Sequence, residues 1–367
     1  MTTSVHSFAA DYPEAREKFL AAARIAGAAT SRYDNPVKGP DGGSLSTDVA
    51  WLGPDDADKV VVTISSTHGV EGFCGSGAQV DWLMRRGASA LPRGVAALFV
   101  HAINPYGFAW LRRVTEEGND LNRNFVDHSK PYPDNPGYSE LADAIVPPAL
   151  SGPAFEAAQA RLKAYRAREG DVAFYRALSG GQFTHADGLF YGGGGASWAN
   201  RTTHAIIERF LARRRDVAVI DFHTGLGPFG YGELITHYEP DHDGSRRVRA
   251  FWGESVTESK KGQTSSQARD GLGHYGFNRA LPRSRVTMAT LEFGTYDRES
   301  GHRAFVADAW LHRHGDPLGA EAGPIRAAMR KQFYPDTEEW KEMVLFRGNQ
   351  TIRQAIAALA ADGGGEP

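Results

Sequence analysis

The chain has 367 residues, of which 41% are hydrophobic and 23% charged, with a formal net charge of -3 at pH 7. This composition is ordinary for a soluble globular protein with a sizeable core, and it lacks the basic excess typical of nucleic-acid and membrane-surface binders. The single cysteine, Cys74, excludes an intramolecular disulfide and a thiolate zinc cluster.

The N-terminal segment has neither a basic n-region nor an apolar h-region, so no secretory signal peptide is predicted. No apolar run reaches the roughly 18–20 residues that a membrane-spanning helix needs. These features favour a cytoplasmic protein, although export without a leader would leave no such trace.

Short β-branched and apolar runs predict strands at Val60–Ile64, Val95–Ile103, Val217–Phe222, Glu233–Tyr238 and Val286–Phe293. Most are apolar on both faces, which is typical of strands covered by helices on both sides. Helix-like segments lie between them, at Cys74–Arg86, Ala154–Arg168, Ala199–Arg215 and His242–Lys260. The alternation predicts an α/β fold, a three-layer α/β/α sandwich around a mixed, largely parallel central sheet.

Two stretches of the chain, one on each side of the helix predicted at Ala154–Arg168, lack a helix or strand pattern. Residues 127–150 are rich in proline and predict a surface excursion without regular structure, and Gly192–Gly195 predicts a loop. No internal repeat or low-complexity linker divides the chain. We therefore predict one domain over residues 1–367, with an insertion at about 127–200 and a frayed tail from about residue 361.

A first polar cluster, which includes His68 and Glu71, directly follows the first predicted strand. Ligand sites of open α/β sheets lie at such strand ends, and zinc accepts both an imidazole and a carboxylate. Taken alone, the pair is better explained as a turn with a hydrogen-bonded His and an exposed Glu, since a chain with 13 histidines often holds one His-x-x-Glu by accident.

His223 closes the strand Val217–Phe222 and supplies a second imidazole at a strand end. Three ligands from two strand ends would leave the open position that a catalytic zinc ion needs for water. Asp221 is spaced to fix the tautomer of an imidazole ligand. The alternative for His223 is that it caps the following loop and binds no metal. Glu292 lies in an apolar strand, so it is either a general base beside a metal or one half of an ion pair with an arginine.

Two arginine sites lie close together along the chain, at Arg112–Arg113 and within the segment Gly118–Phe125. The planar fork of arginine binds carboxylates through two hydrogen bonds. The alternative is that this segment is a surface loop with solvated charges. That alternative fits less well, because the apolar side chains of Leu121 and Phe125 are expected to pack in the core.

In this order, the segments HGVEG, NPYGF, NDLNRNF, DFHTGLGPFG and TLEFGTY resemble the zinc carboxypeptidase superfamily over roughly residues 45–310. They also resemble the related succinylglutamate desuccinylases and aspartoacylases, and within that group they look like the DUF2817 branch. The resemblance implies a carboxypeptidase-like fold and one Zn²⁺ per chain. It also implies that His68, Glu71 and His223 hold the zinc ion and that Glu292 is catalytic.

The resemblance further implies how a substrate is held. Asn122 and Arg123 match the pair that binds a substrate carboxylate. Either Arg112 or Arg113 would polarise the scissile carbonyl, and the spacing leaves both open with a preference for Arg113. Tyr275 is a candidate for a substrate-binding tyrosine, although its spacing to the catalytic glutamate departs from that of the family.

These implications predict a hydrolase that cleaves an amide bond beside a free carboxylate, in a short peptide or a small molecule. A deacylase or amidase acting on an N-acyl amino acid would use the same residues and stays open as an alternative. A further alternative is a catalytically silent binding module, against which the presence of both ligand clusters and Glu292 argues. The oligomeric state is not predicted.

Overall fold

A mixed sheet crosses the part of the chain that the computed structural model describes, residues 5–266 and 268–361. Its strands are β1 (Ala29–Lys38), β2 (Ser44–Leu52), β3 (Lys59–Ile64), β4 (Val95–His101), β5 (Asp216–Phe229), β6 (Gly232–Thr236), β7 (Thr257–Glu258) and β8 (Arg285–Gly294). They lie in the order β1-β2-β4-β3-β5-β8-β6-β7. The central strands β4, β3, β5 and β8 are parallel, whereas β2 and β6 pair antiparallel with this central group.

Helices connect and cover the strands. They are α1 (Tyr12–Ile25), α2 (Gly72–Arg85), α3 (Pro105–Trp110), α4 (Leu121–Asn124), α5 (Pro136–Ile145), α6 (Gly152–Ser179), α7 (Trp198–Phe210), α8 (Asp243–Trp252), α9 (Gly273–Ala280), α10 (Arg298–Arg313), α11 (Ala322–Phe333) and α12 (Glu338–Ala361). No helix in the described ranges combines the length and the apolar character that crossing a membrane requires.

Alternate residues of the central strands enter two separate cores. Val61 packs on one face of the sheet with side chains of α1, α2, α8 and α12. Its neighbours Val60 and Val62 pack on the other face with side chains of α7 and α9. Successive residues of a strand point to opposite faces, so strands that are apolar at every position must be covered twice. The predicted three-layer sandwich with a mixed sheet is confirmed.

The five predicted strands are present, but three others were not predicted. β1 is an edge strand with mostly exposed or half-buried residues, and β2 buries several polar side chains, so neither shows a clear apolar pattern. β7 has only two residues. A polar edge strand is typical of sheets that avoid pairing with other chains, and it hides the strand from a hydrophobicity pattern.

Several predicted helix limits are wrong. The helix predicted to reach Arg215 ends at Phe210, and Arg214 instead donates from Nε to the carbonyl of Phe210, which closes that end. The helix predicted over His242–Lys260 ends at Trp252, because Gly253 follows with a φ of 88°. A positive φ is open to glycine and ends the helix there.

The proline-rich segment 127–150 is not irregular throughout. It contains α5, which begins at Pro136 after Asn135, whose side chain accepts the N–H of Tyr138. Proline is well suited to the first helical turn, where its missing N–H is not needed. The predicted frayed tail lies beyond the described residues except for Ala361, which ends α12.

Candidate metal centre

Three buried side chains meet where β3 ends beside β5. His68 Nδ1 lies 2.9 Å from Glu71 Oε1, and His223 Nδ1 lies 3.2 Å from His68 Nδ1 and 3.1 Å from Glu71 Oε2. Ligand atoms about 2.0–2.1 Å from a tetrahedral zinc ion are roughly 3.4 Å apart. The observed separations are slightly shorter, so these donors fit a single small cation. We refer to His68, Glu71 and His223 as the triad.

The loop after β3 is held in place by close backbone contacts. His68 precedes a 3₁₀ turn, Gly69–Glu71, and the N–H of Gly69 donates to the carbonyl of Arg113 at 3.1 Å. A Cβ on Gly69 would lie only 2.0 Å from the backbone carbon of Gly107 in α3. Only glycine allows this approach, which brings the triad next to the segment that carries Arg113.

The strand register places His223 beside Glu292. These residues are Cα partners on the parallel strands β5 and β8. Asp221, two residues before His223 on the same face, contacts His223 Nε2 through Oδ2 at 2.8 Å and accepts the Thr67 hydroxyl through Oδ1 at 2.8 Å. A carboxylate at Nε2 fixes the ring proton there and leaves Nδ1 free to bind a metal.

Glu292 is buried near the triad, and its Oε1 accepts the backbone N–H of Leu226 at 3.0 Å. Burial and the nearby carboxylate of Glu71 raise the pKa of Glu292 to about 8. A carboxyl group in this environment can gain or release a proton near neutral pH, which is the property that a general base requires.

Arg113 and Asp120 lie on the other side of His68. Arg113 donates from Nε to Asp120 Oδ2 at 2.9 Å, and its Nη2 lies 2.7 Å from His68 Nε2. Asp120 Oδ1 lies 3.4 Å from the same ring nitrogen. Although burial raises it, the pKa of Asp120 is held well below its usual value by Arg113 and Arg123. Asp120 is therefore an ionised acceptor that can hold a proton on His68 Nε2.

The two arginines that the sequence left open have different surroundings. Arg113 reaches the triad, where its Nη1 is also 3.4 Å from Glu71 Oε1. Arg112 lies elsewhere, and its Nε donates to both carboxylate oxygens of Asp308 in α10 at 3.1 and 3.2 Å. The geometry therefore places Arg113, and not Arg112, beside the triad, and it gives Arg112 an ion pair with Asp308.

Asn122 and Arg123 lie in the short helix α4, next to Arg113. Asn122 Oδ1 accepts the N–H of Gly273 at 2.8 Å, which ties α4 to the start of α9. Arg123 is buried and donates to the carbonyls of Asn122 and Ser179 at 2.8 and 3.1 Å. The structure thus places Arg123 near the triad but engages part of its guanidinium with backbone carbonyls.

Tyr275 lies in a cleft of about 600 Å³ that is also lined by Phe125 and Lys260. The Lys260 ammonium is 5.8 Å from the centre of the Tyr275 ring. Among the described residues that line this cleft, none belongs to the triad. Tyr275 is therefore not brought into contact with the candidate metal centre.

Phe190 is a part of the site that sequence reasoning missed. The centre of its ring lies 5.3 Å from the Arg113 guanidinium and 5.6 Å from that of Arg123, so the ring packs against both cations. Phe190 has a φ of 55°, which is uncommon for a residue other than glycine. It comes from the segment 127–200 that was predicted as an insertion, and nothing in its sequence pattern indicated a role at the site.

Solved structures with a similar overall chain path have low sequence identity. Thrombin activatable fibrinolysis inhibitor has a TM-score of 0.47 and 11% identity, covering 91% of this chain and 77% of its own. An aspartoacylase family protein from Mesorhizobium loti has a TM-score of 0.39 and 17% identity, and the match covers 77% of this chain and 66% of that protein. A succinylglutamate desuccinylase from a Silicibacter species has a TM-score of 0.39 and 14% identity, and the match covers 78% of this chain and 67% of that protein.

A family model identifies the chain more directly. No curated protein matches the sequence. Residues 8–347 match the family described as "Protein of unknown function (DUF2817)". The match spans most of the chain and confirms the predicted resemblance to the DUF2817 branch. The chain therefore belongs to the DUF2817 family.

Proposed function

We propose that this protein is a zinc-dependent hydrolase that cleaves an amide bond adjacent to a free carboxylate, as a metallocarboxypeptidase does. The observation that carries the proposal is the triad, a buried His-Glu-His set whose donor atoms fit one cation. Its mixture of imidazole and carboxylate ligands is that of hydrolytic zinc sites with one open position. When bound, zinc would supply Lewis-acid polarisation and a water molecule with a lowered pKa.

The surrounding side chains support this chemistry. Glu292, which is the Cα partner of His223 on the neighbouring strand, would take a proton from water and deliver it to the leaving amine. A cation at the triad would oppose the carboxylate of Glu71 and thereby lower the pKa of Glu292 toward the working range of a base. Arg113, which contacts His68 and Glu71, would stabilise the negative charge that develops on the substrate carbonyl oxygen.

His68 has two possible partners at Nε2, and they favour different tautomers. Arg113 can only donate, so its contact requires an unprotonated Nε2. A metal ligand at Nδ1 needs the proton on Nε2, where Asp120 can accept it. We propose that Asp120 is the partner of His68 in the metal-bound protein, which releases Arg113 to interact with substrate.

Substrate binding is proposed to use Arg123 and Asn122, which would hold the free carboxylate and so fix the scissile bond near the triad. A deacylase of the aspartoacylase type remains the second candidate. The same carboxylate site would then hold the amino-acid part of an N-acyl amino acid, so the buried Arg123 supports both reactions equally.

Metal analysis and a substrate screen test the proposed function. Purified protein should contain about one zinc ion per chain by mass spectrometry of the dissolved metal, as a three-ligand catalytic site implies. Two substrate panels, short peptides with free C-termini and N-acyl amino acids, should then separate the two activities. Metal-loaded protein that cleaves neither panel would contradict the proposal and favour a binding module.

Substitution of the two arginines should show which of them serves catalysis. Arg113→Gln should lower kcat/KM by about 10²–10³-fold, as loss of an oxyanion donor does, and should also lower stability, because the buried Asp120 loses a partner. Arg112→Gln should destabilise the fold by about 3 kcal/mol, because Asp308 stays buried without its partner, and should change kcat/KM little. Kinetics and thermal unfolding of both variants check this. A loss of turnover confined to Arg112→Gln would make Arg112 the catalytic arginine.

A further inference from the structure

A third arginine, Arg269, lies beside Arg123 in the segment before α9. Both guanidinium groups contact Ser179, the last residue of α6: Arg123 Nη2 donates to its carbonyl at 3.1 Å and Arg269 Nη2 to its hydroxyl at 3.2 Å. The segment is held against α4, because Phe125 N–H donates to the carbonyl of Gly271 at 3.0 Å. A Cβ on Gly271 would lie 2.0 Å from the carbonyl oxygen of Arg123, so this contact requires glycine.

Both arginines have a polar atom that is shielded from solvent and that finds no hydrogen-bond partner within the described part of the chain. These atoms are Nε of Arg123 and Nη1 of Arg269. The residue Arg269 as a whole is partly exposed, whereas its Nη1 atom is shielded and therefore lies on the side of the guanidinium that faces the protein interior. A buried donor without an acceptor destabilises the protein, and it does so more strongly when it is charged. An anionic ligand would supply the missing acceptors.

The charges around these arginines are unbalanced. Arg113 contacts two buried carboxylates, Asp120 and Glu71, at 2.9 and 3.4 Å. Arg123 and Arg269 have a smaller share, because the nearby buried carboxylate, Asp120, is already paired with Arg113 and its Oδ2 is 3.9 Å from Arg123 Nη1. Asp270, which also acts on Arg123, is exposed. Burial, together with the repulsion of Arg123 and Arg113, lowers the pKa of Arg269 to about 9. The positive charges of Arg123 and Arg269 are therefore only partly balanced by buried carboxylates.

His237 is a further titratable group whose charge is coupled to that of Arg269. His237, buried on the segment after β6, has its pKa lowered to about 3 by burial and by His223, Arg269, Lys260 and Arg123. Its ring is held by the hydroxyl of Ser259 at 2.9 Å. His237 is therefore neutral near pH 7 and adds no charge to the arginines.

We infer that Arg269 binds a second anionic group of the substrate, next to the carboxylate that Arg123 holds. The inference rests on the proposed function only in that it takes Arg123 as the site of the free carboxylate. It assigns to the protein a substrate with two neighbouring anionic groups, such as a chain-terminal or N-acylated residue with an acidic side chain. Arg269 is then a residue that determines specificity and takes no part in bond cleavage.

Binding of two simple acids tests the inference without requiring turnover. Glutarate carries two carboxylates and butyrate one, and both can be titrated calorimetrically into the zinc-loaded protein. Wild-type protein should bind glutarate at least about 10-fold more tightly than butyrate, since a hydrogen bond to a charged group contributes about 1.5–3 kcal/mol. Arg269→Gln should remove this preference and leave the affinity for butyrate unchanged.

Two variants make the result specific. Arg269→Lys keeps the charge but loses the fork, so it should retain part of the preference. Arg303→Gln removes an exposed arginine paired with Glu299 on α10 and should leave the preference intact. Equal binding of both acids by wild-type protein, or a preference that survives in Arg269→Gln, would overturn the inference. Glutarate selectivity in a protein that cleaves no amide would contradict the proposed function but leave this inference intact.

Discussion

Replacing Glu292 with glutamine is expected to leave the metal bound and to lower kcat by about 10²–10⁴-fold, the usual contribution of a general base. Glutamine has nearly the same shape and can still accept the N–H of Leu226, so the strand and the triad should keep their positions. Its amide cannot take a proton from water. Steady-state kinetics on the best substrate of the screen, with metal content measured on the same sample, checks both parts.

The free energy of unfolding gives a control for Glu292→Gln. The pKa of Glu292 is raised to about 8 in the folded metal-free protein, above its ordinary value of 4.5. A carboxyl group whose pKa is raised on folding destabilises the fold once pH exceeds its unfolded pKa, and this cost grows as pH rises toward about 8. Metal-free Glu292→Gln should therefore be at least as stable as the wild-type protein at pH 8, measured by denaturant unfolding.

Glu233 provides a matched acidic control. It is buried, and it is the Cα partner of Glu292 on the neighbouring strand β6. Its Oε1 accepts the Thr257 hydroxyl at 2.6 Å and its Oε2 accepts the Ser265 hydroxyl at 2.5 Å, which gives it a structural role. Glu233→Gln should lower stability and change kcat little. A large loss of turnover in Glu233→Gln combined with unchanged turnover in Glu292→Gln would assign the base to Glu233.

The central sheet could be predicted because its strands are buried on both faces. Val60–Ile64 and Val217–Phe222 are apolar at all positions except Thr63 and Asp221, so a nearly continuous apolar run indicates them clearly. β1 and β2 are set by their pairing with each other and with β4, and their own residues show no such run. Long-range pairing of this kind is not visible in a local pattern of hydrophobicity.

The candidate site was predictable to the extent that its residues lie at strand ends. His68 follows the clear strand β3, and His223 lies in the neighbouring strand β5, just beyond Asp221, the last residue of β5 that pairs with β3. Phe190 and Arg269 were missed for the opposite reason. Both come from long irregular connections, and their positions depend on contacts with the segment around Arg123 that only the folded chain shows.

Loss of a triad ligand is expected to have the largest effect on metal binding. His68→Ala and His223→Ala should each weaken zinc binding by more than the roughly 10–100-fold that loss of an outer partner costs, and activity should be lost with the metal. Zinc stabilises the folded state when it binds there in preference to the unfolded chain. A chelator should therefore lower the thermal midpoint of the wild-type protein and leave that of His68→Ala unchanged.

Asp221→Asn provides the intermediate case, because it changes the partner of a ligand and leaves the ligand in place. The carboxylate of Asp221 accepts the proton of His223 Nε2 and also holds Thr67, the residue before His68. An asparagine amide can donate to Nε2 instead, which would move the ring proton to Nδ1 and block the atom that faces the triad. We expect zinc affinity to fall by about 10–100-fold, measured by competition with a chelating dye. Full affinity in Asp221→Asn together with lost affinity in His223→Ala would show that His223 binds the metal without help from Asp221, whereas full affinity in both variants would remove His223 from the metal site.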